Sequence, residues 1–327
     1  MQELPKIELH LHLDCSLSYP VVSKLKPGIS YEAYRQSFIA PPKCPDLADY
    51  IKRAISAIEL MQTKENLSLV VFDLFEQLRQ DHVIYAELRF APLEHISQGL
   101  SPEEVVSIVN QATIEAISKT GVQAGIILCT LRHYSENMSL QTAELVEKFK
   151  GTRVVGFDIA SDEAGYPIDN HVAAFKYINS KGIPCTAHAG EALGAESVWE
   201  TLENFRPLRI GHGVRSAEDP KLLDYLKKHQ IHLEVCPTSN IQTNVFATIK
   251  DHNISTLYDS GVSISVNTDC RTISDVTLSS EYQLLLELFG WSKEQLYRCD
   301  QEALKHAFCS EELKLLLFKK LQTGYKL

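Results

Sequence analysis

The stretch IELHLHLD at residues 7–14 sets His10 and His12 two apart inside an otherwise apolar, strand-like run. Side chains alternate along a strand, so both imidazoles project from the same face. A strand made for burial that turns two polar rings to one side must satisfy them there, because an unpaired buried polar group is costly. The run also leads straight into HLHLDCSL rather than a glycine-rich turn. The dinucleotide fingerprint that would open a doubly wound sheet is therefore missing.

Seven more strand-like runs follow, at 83–90, 123–131, 154–159, 184–188, 208–211, 232–236 and 262–267. Amphipathic stretches with legible starts separate them. SPEEVVSIVNQATIEAIS offers Ser101 as N-cap, Pro102 in the first helical position and Glu104 to complete a capping box. Its Val105, Ile108, Val109, Ala112 and Ala116 recur at helical spacing. Asp219 with Pro220 marks another helix start, and Ser292 a third.

Eight strands alternating with helices predict an α/β chain of the (β/α)8 TIM barrel type. The first connection is much longer than the rest. It holds PGIS, a PPKCP turn cluster and helix-like sequence over 47–79. This predicts a helical insertion after the first strand, covering one end of the barrel. Further helical segments are expected after the eighth strand. With no low-complexity linker and no repeat beyond the β/α alternation, residues 1–327 read as one domain.

The chain has 327 residues, 44% of them hydrophobic, which suffices for a large core. Its net charge is −10 and its Lys and Arg residues are scattered, so a nucleic-acid partner is not expected. No secretory signal is visible at the start, and no apolar run approaches the ~20 residues of a membrane span. The eight cysteines are dispersed without a C-x-x-C pair, which predicts reduced thiols and a cytoplasmic location away from membranes. Oligomeric state is not legible.

Working residues of a β/α barrel sit at the C-terminal ends of its strands. TAHAGE closes the fifth run with His188 and follows it with Glu191; RIGHG closes the sixth with His212; VNTDC closes the eighth with Asp269. Taken singly, each has an ordinary explanation: satisfied core histidines, a helix start, a turn, an N-cap. Together they place metal-type or acid–base groups at one rim from four strands. Burying them there without a counter-ion is expensive. A divalent cation removes that cost, and three imidazoles with one carboxylate suit Zn²⁺ with a position left open for water.

The motifs LPKIELHLHLD, TAHAGE, RIGHG, LEVCPTSN and VNTDC…TLSSEYQL occur in the order, and with roughly the spacing, of the adenosine deaminase family of the amidohydrolase superfamily. The resemblance runs from about residue 4 to the final helices. It implies one Zn²⁺ per chain, held by His10, His12, His188 and Asp269. It also implies hydrolytic deamination of adenosine or deoxyadenosine, a small-molecule purine nucleoside, by metal-activated water attacking C6. The products would be inosine or deoxyinosine and ammonia. His212 would orient the attacking oxygen, Asp269 would take part of its proton, and Glu191 would be the general acid toward purine N1. Such an acid needs a carboxyl pKa raised by a dry pocket.

Substrate contacts implied by the same likeness are His12, then Asp14 at the ribose 5′-hydroxyl. Ser161 stands in FDIASDEAGYP where the family offers a glycine N–H to purine N3, and Leu47 and Ile51 match an apolar lid. Cys270 occupies the position of a second aspartate that meets purine N7 in many relatives, and Cys15 replaces a glycine. A thiol is a weak partner by comparison. These departures keep adenine and N6-substituted adenine nucleotides open as alternative substrates. A catalytically silent barrel used for binding is the remaining alternative, though neither a ligand nor Glu191 is lost.

Overall fold

The structure, a computed structural model, describes residues 3–326. Eight parallel strands are β1 (Lys6–His12), β2 (Val83–Phe90), β3 (Gln123–Leu131), β4 (Val154–Ala160), β5 (Thr186–Ala189), β6 (Arg209–His212), β7 (His232–Val235) and β8 (Ile264–Val266). They pair in sequence order as β1-β2-β3-β4 and β5-β6-β7-β8. Single bridges join Phe157 to Cys185 and Leu11 to Asp269, so β4 meets β5, β8 returns to β1, and the ring closes. This is the expected (β/α)8 barrel.

The opening strand explains how the barrel is filled. Lys6, Glu8, His10 and His12 share one face, and Ile7, Leu9 and Leu11 share the other. The apolar face packs in the main hydrophobic cluster, where each fully buried aliphatic side chain contributes roughly 1.5–3 kcal/mol. The polar face points into the barrel, which is filled largely by charge. Arg89 donates to Asp158 and Glu234, both at 2.8 Å, and Arg209 donates to Glu234 at 2.7 Å and Glu87 at 2.5 Å. All five side chains are fully buried.

The predicted caps form. Ser101 and Glu104 make a reciprocal capping box at the helix Pro102–Thr120, Asp219 caps Pro220–His229, and Ser292 caps Lys293–His306. The first connection carries Leu47–Ile58 and Lys64–Gln80 over the expected 47–79 stretch. Two short helices, Tyr19–Leu25 and Tyr31–Phe38, precede them, capped by Ser18 and Ser30. Each buries only two side chains, too short a periodic pattern to stand out in sequence. Helices Leu278–Phe289, Lys293–His306 and Glu311–Tyr325 follow β8 as anticipated.

Strands β5 to β8 differ at their ends from the runs read in sequence. Pro184, with no N–H, lies outside β5 and supplies only its carbonyl, to Phe157 N–H at 3.2 Å. Beyond β8 the closing seam passes to side chains. Asn267 Oδ1 accepts from Leu9 N–H at 2.9 Å and His10 N–H at 3.2 Å, while Glu8 accepts from Thr268 N–H at 2.9 Å. Asp269 then exchanges backbone hydrogen bonds with His10 and His12.

Candidate active site

His10 lies within β1, His12 at its end, His188 within β5, His212 at the end of β6 and Asp269 just past β8. The barrel brings all five to one rim. Donor atoms of His10, His12, His188 and Asp269 lie within 4.8 Å of one another. His12 Nε2 is 3.2 Å from His188 Nε2, and Asp269 Oδ1 is 3.4 Å from His10 Nε2 and 3.3 Å from His12 Nε2.

Two carboxylates from the barrel interior set the tautomers. His10 Nδ1 lies 2.8 Å from Glu234 Oε2, and His188 Nδ1 lies 3.2 Å from Asp158 Oδ1. A carboxylate only accepts, so each Nδ1 carries the hydrogen and each Nε2 presents a lone pair to the rim. His10 Nε2 is buried with no hydrogen-bond partner among the described residues. Converging lone pairs and a carboxylate oxygen repel one another until a cation sits between them. The donor set fits a zinc ion.

Glycine makes this convergence possible. A Cβ on Gly211, in RIGHG, would sit 2.9 Å from His10 Cε1 and 3.2 Å from His188 Cγ. Elsewhere strain marks the site: Ser161, His212 and Asp269 follow or end their strands with φ of 86°, 60° and 62°. Left-handed backbone at a non-glycine residue costs of the order of 1–3 kcal/mol and is retained where surroundings enforce it.

His212 and Glu191, the expected acid–base pair, stand beside the cluster. His212 Nε2 is 3.5 Å from Glu191 Oε2, and Asn240 donates its amide to His212 Nδ1 at 3.1 Å. That bond leaves the hydrogen of the neutral ring on Nε2, facing the cavity. Burial, with His10 nearby, pushes His212 well below the usual histidine range and keeps it neutral. Burial, then the charges of Asp269 and Glu163, push the Glu191 carboxyl well above the usual range. Ser239 donates to Asp269 Oδ2 at 2.7 Å.

A cavity of about 370 Å³ opens over the cluster and is lined by His12, Asp14, Leu47, Ile51, Ser161, His188, Glu191, His212, Asp269 and Cys270. Of the residues singled out in sequence, only His10 stays behind its surface, fully buried. Asp14 Oδ2 accepts from Ala91 N–H at 3.4 Å and lies 3.8 Å from His95 Nε2. Leu47 and Ile51 sit on the insertion helix Leu47–Ile58 and pack with Cys15, Cys270 and Tyr50 in an apolar cluster on one side of the cavity. The Cys270 thiol lies 3.6 Å from Asp269 Oδ1.

Sequence reading missed Glu234, Asp158, Glu163 and Asn240. A signal existed for the first two: a single charge inside an otherwise apolar run, in HLEV and VVGFDIA, demands a buried partner. Which partner it finds is set by the barrel.

The adenosine deaminase family profile matches residues 5–324. An adenosine deaminase of Clostridium acetobutylicum is 34% identical over 325 residues, covering 97% of this chain and 97% of its own. That of Enterococcus faecalis is 34% identical over 331 residues, covering 99% of this chain and 98% of its own. Among solved structures, an adenine deaminase from Arthrobacter aurescens superposes with a TM-score of 0.91 at 23% identity, over 99% of this chain and 100% of that one.

Proposed function

The chain belongs to the adenosine deaminase family, and from that premise we propose that it hydrolyses adenosine or deoxyadenosine to inosine or deoxyinosine and ammonia. The observation that carries this reading is Glu191: its Oε1 is buried with no hydrogen-bond partner among the described residues, beside the four-donor cluster under the cavity. A carboxyl kept protonated by burial beside such a cluster suits delivery of a proton to a ring nitrogen.

In this reading His10, His12, His188 and Asp269 hold one zinc ion. When bound, the ion lowers the pKa of water toward ~7 and so supplies a nucleophile at neutral pH. His212 directs its Nε2–H at the attacking oxygen as it adds to C6. Asp269, with Oδ2 engaged by Ser239, takes up proton density through its other oxygen. Glu191 protonates N1, which makes C6 electrophilic. The amino nitrogen takes the proton held at Asp269, the C6–N bond breaks and ammonia leaves, and the proton of the C6 hydroxyl returns to Glu191 as the ring keeps its oxygen. Asp14 accepts from the sugar hydroxyl, the Ser161 N–H meets the purine edge, and Leu47 and Ile51 exclude water above the base.

Residues 1–327 act as one unit in this reading, supported by a main apolar cluster that includes residues from Ile7 to Tyr325. All eight cysteines are free thiols, which fits a reducing cytoplasm. No helix among the described residues is long and apolar enough to cross a membrane.

The test is a panel of adenosine, deoxyadenosine, adenine, AMP and N6-methyladenosine, read by amine release on protein of measured metal content. Adenosine and deoxyadenosine should lead. Stoichiometric zinc with no turnover of any of the five would overturn the reading. Cys270 in the cavity wall gives adenine and the N6-substituted compound their place in the panel.

A further inference from the structure

Glu163 lies just past β4, two residues after Ser161, and its side chain is almost fully buried. Its Oε2 accepts from the backbone N–H groups of Glu191 at 3.0 Å, Ala192 at 2.6 Å and Leu193 at 3.1 Å. Its Oε1 accepts from Gly190 N–H at 2.7 Å and from the Ser197 hydroxyl at 2.5 Å. Four successive peptide groups thus converge on one carboxylate, an arrangement the chain adopts only around an anion. Four peptide dipoles and a hydroxyl thus compensate its charge directly, and the Arg132 guanidinium adds a longer-range attraction.

The geometry points to Glu163 as a positioning residue for the general acid: it fixes the Gly190–Leu193 turn and so aims the Glu191 carboxyl at the reacting ring. This rests on the deaminase reading above. Other bonds hold only the two ends of the turn, where Arg215 N–H donates to the Gly190 carbonyl at 3.1 Å and Gly194 N–H donates to Glu196 Oε1 at 3.2 Å; the N–H groups between them go to Glu163. Gly190 is left-handed, with φ of 65°, and the helix Ala195–Phe205 begins only after it, with no side-chain cap at Gly194. The same carboxylate ties the turn to the segment of Ser161, so the acid and the opposite wall of the cavity share one anchor. A glutamine here offers one neutral acceptor to the same donors and turns its own N–H groups toward them. The turn would relax, and an ångström of misplacement costs on the order of 10²-fold in rate.

The test is a double-mutant cycle of Glu163→Gln with Glu191→Gln, read as kcat and KM for adenosine together with thermal midpoint and bound metal. A residue acting through Glu191 loses its effect once Glu191 is gone. Glu163→Gln should lower kcat about 10²-fold in the wild-type background with KM and metal content little changed. In the Glu191→Gln background its further cost should fall to about threefold or less. Equal losses in both backgrounds, or a loss that follows metal content, would overturn the assignment. Should Glu163→Gln not fold, Ser197→Ala removes one of the five bonds and goes through the same cycle, where a smaller but equally non-additive loss is expected. A wild-type protein that turns over no aminopurine overturns the functional reading itself, whereas additive losses in an active enzyme overturn this inference alone.

Discussion

Two groups of buried ionisable side chains sit in the same barrel, one in its interior and one at its rim, and they are completed differently. Inside the barrel, Glu87, Asp158 and Glu234 each meet a guanidinium of Arg89 or Arg209. At the rim, His10 Nε2 and Glu191 Oε1 are buried with no hydrogen-bond partner among the described residues. The first group is closed by its own cations and serves as scaffold: through Glu234 and Asp158 it also fixes the rings of His10 and His188. The second has no such cation among the described residues. Burial alone therefore does not distinguish the two groups; for their carboxylates, a guanidinium partner does.

The comparison breaks most visibly at Glu191. Glu191→Gln should lower kcat by about 10²–10⁴-fold while leaving thermal stability unchanged or raised, since it removes an ionisable group buried beside Asp269 and Glu163. A variant that unfolds more easily than wild type would mean that Glu191 belongs with the scaffold. The interior should respond in the opposite sense. Arg209→Met leaves Glu87 and Glu234 short of a cation, and urea unfolding should register a loss of about 3–5 kcal/mol. A loss below about 1 kcal/mol would place that pair with exposed ones.

Asp300 sharpens the contrast as an intermediate case. Its buried carboxylate accepts from Ile7 N–H at 2.8 Å and from the Tyr282 and Tyr325 hydroxyls at 2.7 Å. Burial pushes it from 3.8 to about 7. The folded state then binds its proton more tightly than the unfolded chain. The stability this confers is present in full below about pH 4 and is lost as pH rises through 7. The unfolding free energy of wild type across that window should fall by up to about 1.4 kcal/mol per pH unit relative to Asp300→Asn. Parallel curves for the two proteins would sink the prediction. The smallest effect is expected at the cavity wall. Cys270→Asp should shift the ranking of aminopurine substrates by about tenfold, because a carboxylate accepts a hydrogen bond better than a thiol. An unchanged ranking would remove Cys270 from specificity.

The same contrast explains what could be read in advance. Strands β2 and β3 match their runs residue for residue, because long β-rich segments carry their own pattern. The rim was legible because its residues end strands in short motifs, and the barrel rule brings strand ends together. Partnership was not legible. Glu163 lies 28 residues from Glu191, and Arg89 lies 145 from Glu234. Such pairs form only after closure, and nothing local in either segment names the other. The helices Tyr19–Leu25 and Tyr31–Phe38 escaped for a different reason: two turns with two buried residues each leave too little period to detect.

The seam between β8 and β1 has a consequence for the order of events during synthesis. His10 is bonded to Asn267 across 257 positions and to Asp269 beyond it, so two of the three segments that carry the candidate metal ligands meet only when nearly the whole polypeptide is present. A growing chain on the ribosome displays both early imidazoles long before the residue that completes their set exists. In the proposed zinc site, metal uptake would report a finished chain, and a truncated product would carry the histidines without the grip.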